Sequence, residues 1–156
     1  MPKFTKYDDL EKYLTMLFPE ILGRSRQVES VIIMAMSQAV YDVVYGAFET
    51  EEYVRREHDG GLSDIQNMGI TDFGINENGE AYVIFENLTE GQDTLKNKLI
   101  TDTIVDGIKN NWKTRPGPWT EERDFIGEAA RAIRENPTEL LDAFKNALVE
   151  NGFIIK

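Results

Sequence analysis

Tyr53-Val-Arg-Arg-Glu-His-Asp-Gly-Gly-Leu-Ser-Asp64 is the stretch on which the fold turns. It gathers an aromatic ring, paired arginines, the only histidine and a double glycine into one short window. It lies where a long helical pattern stops and a strand-like pattern begins. Upstream, residues 26–52 read as one helix, with Val28, Val31, Ile32, Ala35, Ala39, Val43, Ala47 and Phe48 as its stripe. Ile33, Met34, Met36, Val40, Val44 and Tyr45 widen that stripe almost all round. A helix apolar on most faces needs cover on most faces, so it is either central to the fold or shared with another subunit. Gly46 inside it points to a close contact or a bend. Glu52 and Arg56 are spaced as an i,i+4 ion pair, and Arg55, Arg56 and His58 complement a helix C-terminus. Gly60-Gly61 then stops the helix by admitting backbone angles closed to other residues.

Downstream, residues 68–76 and 80–88 read as a hairpin. Ala81-Tyr82-Val83-Ile84-Phe85 is the strongest strand signal, and Asn76-Glu77-Asn78-Gly79 supplies the turn. Working outward, Phe4, Tyr7, Leu10, Tyr13, Leu14, Leu17, Phe18 and Ile21 recur at helical spacing from about Thr5. Pro19 is expected to end or weaken that helix, Gly23 to break it, and Ser25 to cap the next. Residues 89–98 read as a polar loop, and 99–108 as a short helix or a segment on the sheet. Residues 110–119 form a loop around Pro116-Gly117-Pro118 that holds both tryptophans, Trp112 and Trp119. Thr120 is the expected cap of a helix ended by Asn136-Pro137. A last helix closes at Asn151-Gly152, and the apolar tail Phe153-Ile154-Ile155 is a closing strand or a docking segment. The fold class is α+β: a long central helix, a small antiparallel sheet and flanking helices. A single domain over 1–156 is expected, in segments 1–24, 25–58, 62–130 and 131–156.

The net charge is −11, from 17 basic and 28 acidic side chains, which argues against gripping a phosphate backbone or an anionic membrane. No cysteine is present, so disulfides and thiolate metal sites are excluded. The N-terminus turns acidic before any apolar run, unlike a signal peptide. The longest apolar run, 31–36, is too short to span a bilayer. No P-loop, Rossmann fingerprint or nucleophile elbow occurs. Glu57-His58-Asp59 offers metal-ligand types, but neighbours on a helix point apart and a second histidine is missing. Asp102 and Asp106 stand one helical turn apart, as a solvated face does. The two tryptophans lock their loop to the core or face a partner.

One order of motifs carries more than any of its parts. A helix leads into Tyr53-Val54-Arg55-Arg56, then Gly60-Gly61-Leu62-Ser63-Asp64, then a hairpin. Ile104-Val105-Asp106-Gly107, Trp112, Gly117-Pro118-Trp119 and Arg123-Asp124-Phe125 follow. Over residues 40–130 this resembles the virion-morphogenesis, head–tail joining or tail-completion proteins of tailed bacteriophages. Asp124 departs from that pattern, which has proline there.

The resemblance implies a non-enzymatic virion component without a cofactor, assembled in the host bacterial cytoplasm. Its partners would be copies of itself in a ring and neighbouring neck, tail-tube or connector proteins, with DNA only as passing cargo and no membrane. Its hinge or interface residues would be Tyr53, Arg55, Arg56, Gly60, Gly61, Leu62, Asp64, Trp112, Trp119, Arg123 and Phe125. Acids facing a lumen would keep a DNA conduit from holding its cargo. Charge alone also admits a different class, a small acidic inhibitor or immunity protein that binds a basic site on a partner.

Overall fold

A computed structural model describes residues 5–47, 56–91, 99–106 and 122–155. Within them are five α-helices and one two-stranded antiparallel sheet, the mixed α+β class expected. Contacts divide the chain into two compact units. The first takes Met1–Val31, Ile70–Phe85 and Thr138–Lys156; the second takes Ile32–Gly69 and Glu86–Pro137.

In the first unit, α1 (Tyr7–Gly23) runs straight through Pro19. The expected stop there does not occur. Proline costs a helix its i−4 bond and crowds the preceding turn, a penalty of about 3 kcal/mol. Here Pro19 and Ile21 are both buried, which offsets that cost. The helix instead ends at Gly23, where any Cβ would stand 2.3 Å from the Phe73 ring. Ser25 caps the next helix as expected, its Oγ accepting from the Val28 N–H at 3.3 Å.

The last helix, α5 (Thr138–Glu150), packs against α1. Its end is a Schellman turn: the Gly152 N–H donates to Val149 and the Phe153 N–H to Leu148. That turn sets the Phe153 ring edge-on to Phe18, centroids 6.4 Å apart, a pairing worth about 1 kcal/mol. The tail after it forms no strand, and Ile154 is 87% exposed. The hairpin tip is fixed by Asn76, whose Oδ1 accepts from the N–H groups of Asn78 and Glu80. Gly79 takes the positive φ expected of it, +81°.

The expected long helix begins at Arg26 but changes character. It is α-helical over α2 (Arg26–Ala39), then π-helical over Val40–Tyr45. The Gly46 N–H closes the π segment by donating to the Tyr41 carbonyl at 2.8 Å. Of the residues expected to continue it, 48–52 lie outside the described residues. The wider π turn buries Val40 and Val44 and brings the Tyr41 and Tyr45 rings edge to face at 5.2 Å.

Over Arg26–Tyr45 the helix has 20 residues and a mean hydropathy of 1.3, long and apolar enough by composition to cross a membrane. The shorter run read from sequence did not anticipate this. Two of its polar side chains are bonded within the protein: Glu29 accepts from the Ile70 N–H at 3.1 Å and the Ser37 hydroxyl donates to the Ser63 carbonyl at 3.3 Å.

The strands are β1 (Met68–Ile75) and β2 (Ala81–Asn87), near the expected bounds. A short helix α3 (Thr101–Asp106) follows, with Asp102 and Asp106 exposed on it. The next helix, α4 (Phe125–Glu135), starts later than Thr120. Its cap is Asp124, whose Oδ1 accepts from the Gly127 N–H at 2.7 Å. Arg123 is held back from the helix because its N–H donates to the Ile104 carbonyl on α3. Asp at this point therefore supplies a cap that proline could not. Thr120 and Glu121 lie outside the described residues.

Candidate functional site

The corner from Arg56 to Asp64, in the second unit, is built by backbone angles before side chains act. Glu57 and Gly60 have φ of +43° and +74°. A Cβ on Gly61 would lie 2.5 Å from the Glu57 carbonyl oxygen and 2.6 Å from its nitrogen, so only glycine fits. Asp64 then ties both ends of the turn. Its Oδ2 accepts from the Gly60 N–H at 2.8 Å and its Oδ1 from the Gln66 N–H at 3.0 Å, capping a short 3₁₀ turn at Ile65–Asn67. The Gln66 and Gly60 amides, with a smaller contribution from His58, hold the carboxyl below the ordinary aspartate range.

This turn pushes Leu62 and Ser63 inward, where they are 5% and 0% exposed. Buried backbone polar groups must then find partners. Asn87, at the end of β2 and 2% exposed, donates from Nδ2 to the Leu62 carbonyl at 2.7 Å. Its Oδ1 accepts from the Thr89 N–H at 3.1 Å and lies 2.6 Å from Thr89 Oγ1. Thr89 Oγ1 also lies 3.2 Å from the Gly61 carbonyl, so its one proton serves either acceptor. Asn67 Nδ2 reaches both Thr89 Oγ1 and the Gly61 carbonyl at 3.3 Å. Thr101 donates to the Asn87 carbonyl at 2.7 Å, which adds α3 to the network.

A second set of bonds runs to the π-helical segment. The Ser63 N–H donates to the Tyr45 hydroxyl at 3.4 Å. Ser63 Oγ is 3.4 Å from the Tyr41 hydroxyl, which is 2.7 Å from His58 Nε2. The histidine is therefore tied to the helix by its hydroxyl partner and by a tilted ring contact with Tyr41. Serine, tyrosine and histidine in a row suggest a nucleophile and its base, but no substrate can reach a serine that is 0% exposed.

Among the expected hinge residues, Gly60, Gly61, Leu62 and Asp64 meet in this corner. Arg56 joins them, donating to the Glu90 carbonyl at 3.0 Å. Arg123 and Phe125 lie elsewhere in the same unit, at the junction of α3 and α4, with Phe125 fully buried. The α4 helix packs on the π-helical segment that carries Tyr41 and Tyr45. Tyr53, Arg55, Trp112 and Trp119 lie outside the described residues. Sequence reading missed Asn87, Thr89, Ser63 and Tyr41. The one signal available was Asn87-Leu88-Thr89, a small polar pair closing a strongly apolar strand.

In the first unit, a separate cleft of about 600 Å³ is lined by α1, α5 and the start of α2. Several of its polar groups are already engaged: Arg24 pairs with Glu20 at 3.1 Å and Gln27 bonds Glu150 at 3.2 Å. The corner in the second unit is thus the better candidate, as a bonded joint rather than a binding pocket.

No curated protein and no solved structure matches the chain. A family model does: that of the phage-associated YomN family matches residues 6–150. The match spans both units and every helix and strand described above, and the chain belongs to the YomN family.

Proposed function

We propose that the protein is a non-enzymatic structural component of a tailed-phage virion, a subunit of a homo-oligomeric ring at the neck or tail end. The observation that carries this reading is the phage-associated family match over residues 6–150. The geometry supports a part that is rigid and built for contact. The corner is closed by bonds between buried groups, which fixes shape rather than opening a reaction site. Large apolar side chains remain in water: Tyr7 is 76% exposed, Met16 67% and Met34 65%. Such residues suit surfaces covered on assembly. Repeated head-to-tail contact between copies closes into a ring where the rotation allows.

The test is genetic. A nonsense codon early in the reading frame should leave infected cells with filled heads and separate tails visible by electron microscopy. Normal infectious particles from the same mutant would overturn the proposal.

A further inference from the structure

One tripeptide occurs twice in this chain, in different settings. Glu77-Asn78-Gly79 forms the hairpin tip, and Glu150-Asn151-Gly152 ends α5. An asparagine followed by glycine is open to attack from within the chain. The next backbone nitrogen can reach the side-chain carbonyl carbon, and glycine has no Cβ to block the approach. The two asparagines share the same neighbour on each side, so a difference in their fate must come from the fold.

Both pairs are exposed, and both glycines take a positive φ, +81° and +87°. Each glycine N–H is donated within its turn, to the Asn76 and Val149 carbonyls, at 2.9 Å. The settings part at the asparagine side chain. Asn151 Nδ2 donates to the Ala147 carbonyl at 2.9 Å, and swinging Cγ onto the Gly152 nitrogen breaks that bond. The residue is held further by its own N–H, shared between the Ala147 and Leu148 carbonyls, and by the Phe153 ring set against Phe18. The Asn78 carboxamide has no hydrogen-bond partner among the described residues. Chain neighbours apart, no heavy atom lies within 4 Å of where a Gly79 Cβ would stand, so nothing there crowds the ring that the attack forms.

We propose that Asn78 is a site of spontaneous deamidation and that the fold protects Asn151 from the same reaction. The Gly79 nitrogen, giving its proton to solvent base, forms a bond to Asn78 Cγ. The Cγ–Nδ2 bond breaks and the side-chain nitrogen leaves as ammonia. Water then adds to one of the two carbonyls of the cyclic imide and opens it. The product is aspartate, or isoaspartate with the main chain running through the side-chain carboxyl carbon. Water is the only co-reactant, and nothing is oxidised or reduced. Either product puts a new carboxylate between Glu77 and Glu80. Isoaspartate also lengthens the main chain where Asn76 ties the tip through its Oδ1 and its carbonyl. The inference stands apart from the ring reading above.

Full-length wild type is held at mildly alkaline pH, folded and in unfolding urea, and sampled over time for peptide mapping by mass spectrometry. In the folded chain the Asn78 peptide should take up the amide-to-acid mass gain and split into two isomeric peaks, roughly tenfold faster than the Asn151 peptide reacts. In urea the two should react within about twofold of each other, since only the shared tripeptide remains. A folded chain in which Asn151 reacts as fast as Asn78 would overturn the inference. So would an Asn78 that stays intact when folded while the unfolded chain reacts. A gap of roughly tenfold that persists in urea would also overturn it, by tracing the difference to sequence rather than fold.

Discussion

Replacing Asn87 by alanine isolates what the buried corner contributes. Asn87 is 2% exposed and serves three groups: the Leu62 carbonyl, the Thr89 N–H and the Thr89 hydroxyl. The hydroxyl can turn to the Gly61 carbonyl 3.2 Å away, so it keeps an acceptor. The Leu62 carbonyl and Thr89 N–H lose their side-chain partner at a position that is only 2% exposed. At about 1–3 kcal/mol for each orphaned group, the loss is roughly 2–6 kcal/mol. Urea unfolding followed by circular dichroism reads this directly. With a slope of about 2 kcal/mol per molar, the midpoint should fall by roughly 1–3 M. Asn87→Asp should be no milder, because a carboxylate cannot donate to the Leu62 carbonyl. A midpoint within about 0.3 M of wild type for Asn87→Ala would refute the claim that side-chain bonds hold the corner.

Other outcomes follow from the same geometry. Gly61→Ala drives a Cβ into the Glu57 backbone at 2.5 Å, so it should cost about 1–3 kcal/mol, seen as a fall of several degrees in the thermal midpoint; an unchanged midpoint would show the turn can relax. Asp64 has its acid form disfavoured when folded, so its contribution is present above the ordinary aspartate value of 3.8 and is lost as the pH falls through the lower folded value. The stability gap between wild type and Asp64→Asn should therefore narrow in acid, and a gap independent of pH between 2 and 6, roughly the span over which a carboxyl titrates, would contradict this. His58→Ala removes the 2.7 Å contact to the Tyr41 hydroxyl at an exposed position, which should cost only about 0.5–1.5 kcal/mol in a urea titration.

Much of the fold was legible because its signals are local. Asn76 and Gly79 fix the hairpin turn within their own neighbourhood, Ser25 bonds three residues ahead, and Asn136-Pro137 interrupts a helix by itself. The failures involve competition between local preference and packing. Pro19 breaks helices in isolation, yet burial of Pro19 and Ile21 carries α1 past it. Thr120 is a good cap in sequence, but a backbone bond from Arg123 to Ile104 delays the helix until Asp124. The π segment was hidden because its apolar positions satisfy an α-helical stripe as well.

The corner was half legible. Its glycines and Asp64 announce a turn from composition alone. What fills the turn does not, since Leu62 meets Asn87 and Ser37 meets Ser63 across separations that no short-range pattern encodes. His58 drew attention as a chemical group and proves to be a neighbour of Tyr41. Arg123 stands in the sequence only as part of a motif, and the burial of its Nε without a hydrogen-bond partner, alone among the described residues, is visible only in three dimensions.

The central claim, that this YomN-family chain is a built part of the phage particle, is tested most directly by the protein content of purified virions. Quantitative mass spectrometry of particles banded on a density gradient should find the chain at a fixed number of copies per particle, greater than one. Abundant protein in infected cells with none in the banded particles would contradict the claim and favour an acidic inhibitor that acts inside the host.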